Sequence, residues 1–160
     1  MRLKSVAVSV AQGEKLTLDQ LTGLAREDLG DLHEAASYVR DSAFGEFTTY
    51  SRKVFIPLTE LCRDVCHYCT FAKAPRQILD PFMSVDAVLE LARRGKAAGC
   101  NEALFTLGEK PELRYRAARE WLDRAGFSST IEYLAHVAGL VLKETGLLPH
   151  INAGTMTRDE

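Results

Sequence analysis

Three short apolar runs, KVFIPL (residues 53–58), EALFTL (102–107) and LLPHINAG (147–154), alternate with longer segments whose apolar residues recur at helical spacing. This order constrains the fold more than any other feature of the chain. Strands separated by helices of a dozen residues or more pair in parallel, and a parallel sheet is covered by its own crossover helices. The pattern predicts an α/β fold built on βαβαβ. After the first run, Ser84 caps a helix carrying Val85, Val88, Leu89 and Ala92, which Gly99 ends. After the second, a helix is predicted over residues 111–126, with Pro111 in its first turn and Gly126 at its end. Ser129 and Glu132 form a capping box that opens another helix, running to Gly146. A run within the first of these two, ELRYRAARE, reads as a solvated helix face.

The first fifty residues read differently. Thr17 and Gln20 make a T-x-x-Q capping box ahead of Leu18, Leu21, Leu24 and Ala25. Asp31 and Glu34 are expected to open a second helix with Leu32, Ala35, Ala36 and Val39 inward, ending near Gly45. The opening MRLKSVAVSV has too short an apolar run for a signal peptide and reads as a frayed or strand-like tail. The division expected is a helical preface over residues 1–50 and an α/β unit over 51–160. At the other end, Thr157 and Glu160 make a T-x-x-E box with no room for its helix. Three parallel strands also leave a long unpaired edge. Both features suggest the front part of a longer α/β architecture.

Between the first strand and the next helix lies ELCRDVCHYCTFAKAPR, with Cys62, Cys66 and Cys69 spaced C-x3-C-x2-C; the fourth cysteine, Cys100, is distant. With a net charge of −2, nothing in the composition points to the basic face that nucleic-acid binding needs, and no apolar run is long enough to span a bilayer. In a cytoplasmic, reducing compartment, clustered cysteines point to metal or catalysis in preference to disulfides. Three readings compete. Positions i, i+4 and i+7 share a helix face, so the three thiols could be packing; Pro57, Pro75 and the polar RDVCHY oppose a buried helix. Structural zinc would need a fourth ligand, His67 or Cys100. An iron–sulfur cube with one iron left open needs only three thiolates, held by a tight loop. His67 otherwise reads as a solvated loop residue, Cys100 as a small buried one, and His33 and His136 as helix-surface or packing residues.

The C-x3-C-x2-C spacing, with Tyr68 just before the last cysteine and the loop between a strand and a βα unit, resembles the radical S-adenosylmethionine superfamily. The longer stretches YSRKVFIPLTELCRDVCHYCTFAKAPR, FTLGEKPE and PHINAG resemble the cyclising half of the FO synthase family, over roughly residues 16–160. The resemblance implies a partial TIM-like (βα)6 radical barrel, its first three βα units preceded by the helical preface. It implies a 4Fe-4S cluster on Cys62, Cys66 and Cys69 whose open iron binds S-adenosylmethionine. One electron from a donor such as ferredoxin or flavodoxin then yields a 5'-deoxyadenosyl radical. It implies a tyrosine–ribityluracil adduct as substrate, closed to a deazaflavin with loss of ammonia, and a second radical subunit, fused or separate, that makes this adduct. Tyr68 matches the position beside the adenine. Gly108 and Glu109 match a turn that meets the methionine amino group, with Leu107 departing from the family's Gly-Gly-Glu-like pattern. Asn152 matches a contact to cofactor or substrate, against the plainer alternative of a strand-end hydrogen bond. A bulky residue at Gly108 is then expected to weaken cofactor binding with iron content near normal. The 160-residue chain alone is expected to be inactive. Rival readings are the tyrosine-coupling partner, a menaquinone-pathway relative, and a non-catalytic metal-binding fragment.

Overall fold

The computed structural model describes residues 3–160. The chain divides into two compact units, the first ending at Tyr50 and the second starting at Ser51. The first unit is helical: α1 (Leu3–Ala11), α2 (Leu18–Leu24) and α3 (Leu29–Phe44). Residues 3–11 are a helix, not the strand-like tail expected. Leu3, Val6, Ala7 and Val10 lie at helical spacing, which outweighs Ser5 and Ser9, and Ala7 is buried. The expectation for residues 1 and 2 lies outside the described residues. The Thr17–Gln20 box is reciprocal, as expected. However, α3 opens at Asp28, whose Oδ1 accepts from Gly30 N at 2.8 Å and Asp31 N at 3.3 Å. Asp31 and Glu34 instead fall inside the helix. Leu32, Ala35 and Val39 are half-buried while Ala36, Leu18 and Leu21 are exposed.

The second unit is a three-stranded parallel sheet in the order β1-β2-β3, with β1 Lys53–Thr59, β2 Glu102–Leu107 and β3 Leu148–Asn152. The register sets Lys53, Phe55 and Pro57 opposite Glu102, Leu104 and Thr106, and these opposite Leu148, His150 and Asn152. Ile56, Leu58, Ala103 and Phe105 face the helices and are fully buried. The opposite face carries the half-exposed Phe55 and the exposed Leu148. The helices are α4 (Val85–Ala97), α5 (Arg116–Ala125) and α6 (Thr130–Thr145). Gly95 of α4 sits so close to β1 that a Cβ there would lie 2.5 Å from Val54 Cβ. Tyr133 of α6 packs against Phe82, Trp121 and Phe127 and donates its hydroxyl to Met83 O at 2.6 Å. Burial pushes its phenol up to about 12.

One segment departs from expectation. Pro111–Leu113 is a single 3-10 turn, and α5 begins only at Arg116. The reason is Glu112, which is buried and not part of a solvated face. Its carboxylate accepts from Thr130 N at 3.1 Å and Thr130 Oγ1 at 2.6 Å, at the first turn of α6. A carboxylate there satisfies helix-start donors and complements the helix dipole. Ser129 also caps α6, through Glu132 N at 3.1 Å. The Glu132 carboxylate turns to Ser128 instead of closing the box.

At the N-terminal end of the sheet, Glu102 of β2 gathers donors from both neighbouring strands and from Ser51 just before β1. It accepts from Ser51 Oγ at 2.5 Å, Lys53 Nζ at 2.9 Å and His150 Nδ1 at 2.9 Å. These bonds, that of Ser51 foremost, lower its carboxyl from the ordinary 4.5 to about 2. A carboxyl lowered by folding binds fewer protons folded than unfolded. Its contribution is present in full above about pH 4.5 and fades as pH falls toward about 2. Urea unfolding of wild type and Glu102→Gln across that window should show the wild type losing its advantage as pH drops. Parallel pH dependences would refute the network's part in stability.

Candidate functional site

The C-terminal ends of the three strands converge on one set of loops, where ligands gather in parallel α/β sheets. The first loop begins where β1 loses its regular register between Pro57 and Thr59. Pro57 has no N–H to give the ladder. Thr59, buried, donates to Pro81 O at 2.6 Å, accepts from Leu61 N at 3.1 Å, and takes Gly108 N on its carbonyl at 2.9 Å. These bonds turn the chain from β1 into the cysteine segment.

That segment is loop and turn, with no helix over Cys62, Cys66 and Cys69. The packing alternative therefore fails: Cys62 is half-buried, Cys66 and Cys69 are exposed, and all are free thiols. Cys66 and Cys69 bracket a hydrogen-bonded turn, Cys69 N to Cys66 O at 3.0 Å, that presents Tyr68 with 89% of its surface exposed. A Lys73–Glu60 ion pair of 2.7 Å and a Lys73 N to Glu60 O bond of 2.8 Å close the base of the loop. Among the described residues, no three Cys, His, Asp or Glu side chains are gathered into one metal-ligand set. The donor chemistry nonetheless suits an iron–sulfur group. Three free thiols share one short loop, and Glu109 N donates to Cys62 Sγ at 3.2 Å, the bond a metal-bound thiolate accepts. Cys100 lies just before β2, at the opposite end of the sheet from this loop.

The second loop supplies Gly108 and Glu109. Gly108 is where the two strand exits touch. A Cβ there would lie 1.9 Å from Leu61 O, 2.6 Å from Leu61 C and 2.8 Å from Cys62 Cβ. Only a hydrogen fits, and the requirement is space. Glu109 then ties the loops together. Its backbone donates to Cys62 Sγ and accepts from Arg63 N at 2.9 Å. Its carboxylate takes Arg63 Nη2 at 2.6 Å and the Thr155 hydroxyl. The hydrogen bond from Thr155, joined by the Arg63 charge, holds the Glu109 carboxyl below the ordinary carboxylate range. Arg114 Nη1 donates to Arg63 O at 2.9 Å, pinning the residue after Cys62 from the other side.

The third loop follows β3. Asn152, its last residue, is exposed and pairs in register with Thr106, one residue before Leu107. It stands at the same sheet end as the cysteine loop. Gly154 has φ +80, a conformation that favours glycine, and a Cβ there would lie 3.0 Å from Glu109 Oε2. After Glu109 the chain turns through Lys110, a left-handed non-glycine residue at φ 32. Lys110 Nζ is held by both Glu160 oxygens, at 2.9 and 2.7 Å. Thr157 and Glu160 cap each other reciprocally, and the hydrogen bond from Lys110, joined by those from Thr157, lowers the Glu160 carboxyl to about 2.

The structure thus brings Cys62, Gly108 and Glu109 into contact and sets Cys66, Tyr68, Cys69 and Asn152 at the same end of the sheet without joining them to that contact. A bulky residue at Gly108, expected to leave iron content near normal, would meet Leu61 and Cys62 first, so its steric effect falls on the start of the cysteine loop. Arg63, Thr155 and Arg114 escaped the sequence reading. Arg63 adjoins Cys62 and Thr155 follows HINAG by one residue, but nothing local marks either as a partner of Glu109.

No family model matches the chain. It is 50% identical to a protein named FO synthase from Nocardia farcinica, over 91% of this chain and 18% of that protein. It is 45% identical to an FO synthase from Mycobacterium tuberculosis, over 99% of this chain and 20% of that protein. A protein named 7,8-didemethyl-8-hydroxy-5-deazariboflavin synthase from Methanopyrus kandleri is 48% identical over 70% of this chain and 34% of its own length. The chain therefore spans a fifth or less of the two FO synthases and about a third of the archaeal relative. Its fold matches the crystal structure of methylornithine synthase at a TM-score of 0.61 and 22% identity, over 91% of this chain and 39% of that one. That likeness confirms an α/β architecture with an open parallel sheet.

Proposed function

We propose, on the premise that this chain is a homologue of the FO synthases over nearly its whole length, that it contributes the metal-holding front of a radical S-adenosylmethionine enzyme of coenzyme F-420 biosynthesis. The reaction proposed is the ring closure that makes the deazaflavin from a tyrosine–ribityluracil adduct, releasing ammonia, with the helical first unit as a preface to this radical core. The observation that carries the reading is the cysteine loop at the C-terminal end of β1, bonded through Cys62 to the exit of β2.

Cys62, Cys66 and Cys69 would hold a 4Fe-4S cluster through three thiolates, with S-adenosylmethionine as the second cofactor. When bound, this pair would supply one-electron radical chemistry. The chain's own residues bind and position. Glu109 N–H steadies the Cys62 thiolate, and Gly108 lets the two strand exits close together. The Glu109 carboxylate, ionised over the neutral range and held by Arg63 and Thr155, places a negative charge beside the cysteine loop. Tyr68 offers an exposed ring two residues from Cys66, and Asn152 an exposed amide on the third strand end.

The test is anaerobic reconstitution with ferrous iron and sulfide, followed by a 5'-deoxyadenosine assay with a chemical reductant. About four irons and four sulfides per chain are expected. Cys62→Ala, Cys66→Ala and Cys69→Ala should each lose most of this load, and Cys100→Ala should keep it. Loss in Cys100→Ala with retention in any of the other three would sink the assignment. One zinc and no sulfide would favour a non-catalytic metal-binding role.

A further inference from the structure

The three thiols of the loop are not equivalent. Cys62 is half-buried, accepts from Glu109 N, and is followed by Arg63, whose N–H, carbonyl and guanidinium are all bonded, to Glu109 and Arg114. Cys66 and Cys69 are exposed, and the bond joining them is a backbone one, Cys69 N to Cys66 O at 3.0 Å, across a turn centred on His67 and Tyr68. Such a turn holds its first and fourth Cα atoms within about 7 Å. A disulfide requires about 4.4–6.8 Å.

We propose that in the metal-free chain Cys66 and Cys69 are an oxidative modification site, closing an intramolecular disulfide under hydrogen peroxide while Cys62 stays a thiol. One thiolate attacks a peroxide oxygen and becomes a sulfenic acid, and the expelled hydroxide takes a proton to form water. The second thiolate attacks that sulfur; the S–S bond forms, the S–O bond breaks, and a second water leaves. Two thiols lose two electrons and two protons, and one peroxide gains them. Cys62 is set apart because it is half-buried, its sulfur accepts from Glu109 N, and no turn hydrogen bond pairs it with either of the other two. Cys100 is excluded because it lies at the opposite end of the sheet. The disulfide would convert two of the three donors into a form that binds no iron, and a dithiol would restore them.

The experiment treats the metal-free 160-residue chain with peroxide, alkylates it under denaturing conditions, and maps the peptides by mass. Cys62 and Cys100 should carry the alkyl label. The segment holding Cys66 and Cys69 should be unlabelled and lighter by two hydrogens until a dithiol is added. Cys62→Ala should form the same bridge to the same extent. A bridge to Cys62, four labelled cysteines, or sulfinic acid at Cys66 or Cys69 in place of the bridge would overturn the proposal. Iron plays no part in this mapping, so failure of the cluster assignment shows separately, in the iron and sulfide content of the reduced chain.

Discussion

Gly108→Ala is expected to lower the stability of the second unit by about 3 kcal/mol or more and to carry the iron load down with it. The added methyl would sit 1.9 Å from the carbonyl oxygen of Leu61, which is backbone and cannot rotate away. Either β2 or the start of the cysteine loop must shift. Overpacking against fixed atoms costs about 1–3 kcal/mol at ordinary core sites, and backbone contact this short belongs to the upper tail. A displaced loop also breaks Gly108 N to Thr59 O and Glu109 N to Cys62 Sγ, which cross the same junction. Urea unfolding and iron per chain after reconstitution read the two effects. A variant with the wild-type midpoint and full iron would show that the junction has room for a methyl group.

Removal of the Glu112 carboxylate is the second large effect. Glu112→Ala strips the partner from both Thr130 N and Thr130 Oγ1, and Thr130 is fully buried. Two buried donors left unsatisfied cost about 2–4 kcal/mol together. Glu112→Gln retains one acceptor and should lose about half as much. Adding Thr130→Ala to Glu112→Ala should cost less than the sum of the single changes, because one hydroxyl cannot be orphaned twice. Additive losses in the four-cornered comparison, read by chemical denaturation, would refute the contact.

Local signals proved reliable where the physics is local. EALFTL became β2 with the expected bounds, and Ser84 and Gly146 cap the helices they were expected to cap. Alternating apolar residues and side-chain caps act within four residues, so the sequence displays them. The misreadings have local causes too. At α3, Asp28 and Asp31 each offer a cap, and Asp28 takes the donors because it comes first. Along residues 111–125, the charged pattern concealed Glu112, whose partner lies eighteen residues on. The C-x3-C-x2-C spacing is plain in the sequence. Its surroundings were not: Gly108 needs to be small because of Leu61, and Glu109 is held by Arg63 and Thr155, each forty-six residues away. Such pairings depend on the register β1-β2-β3, which no window of sequence contains.

The aromatic packing around Tyr133 also decides what light can report. The chain has one tryptophan, Trp121, and its ring centroid lies 4.9 Å from that of Phe82 and 5.0 Å from that of Tyr133. Indole emission excited at the red edge therefore samples only the second unit, since the helices before Ser51 carry no chromophore of that kind. Far-ultraviolet ellipticity weighs the helices of both. Divergence between the two signals during denaturation would then be a measure of how independently the two units melt, obtained without any label.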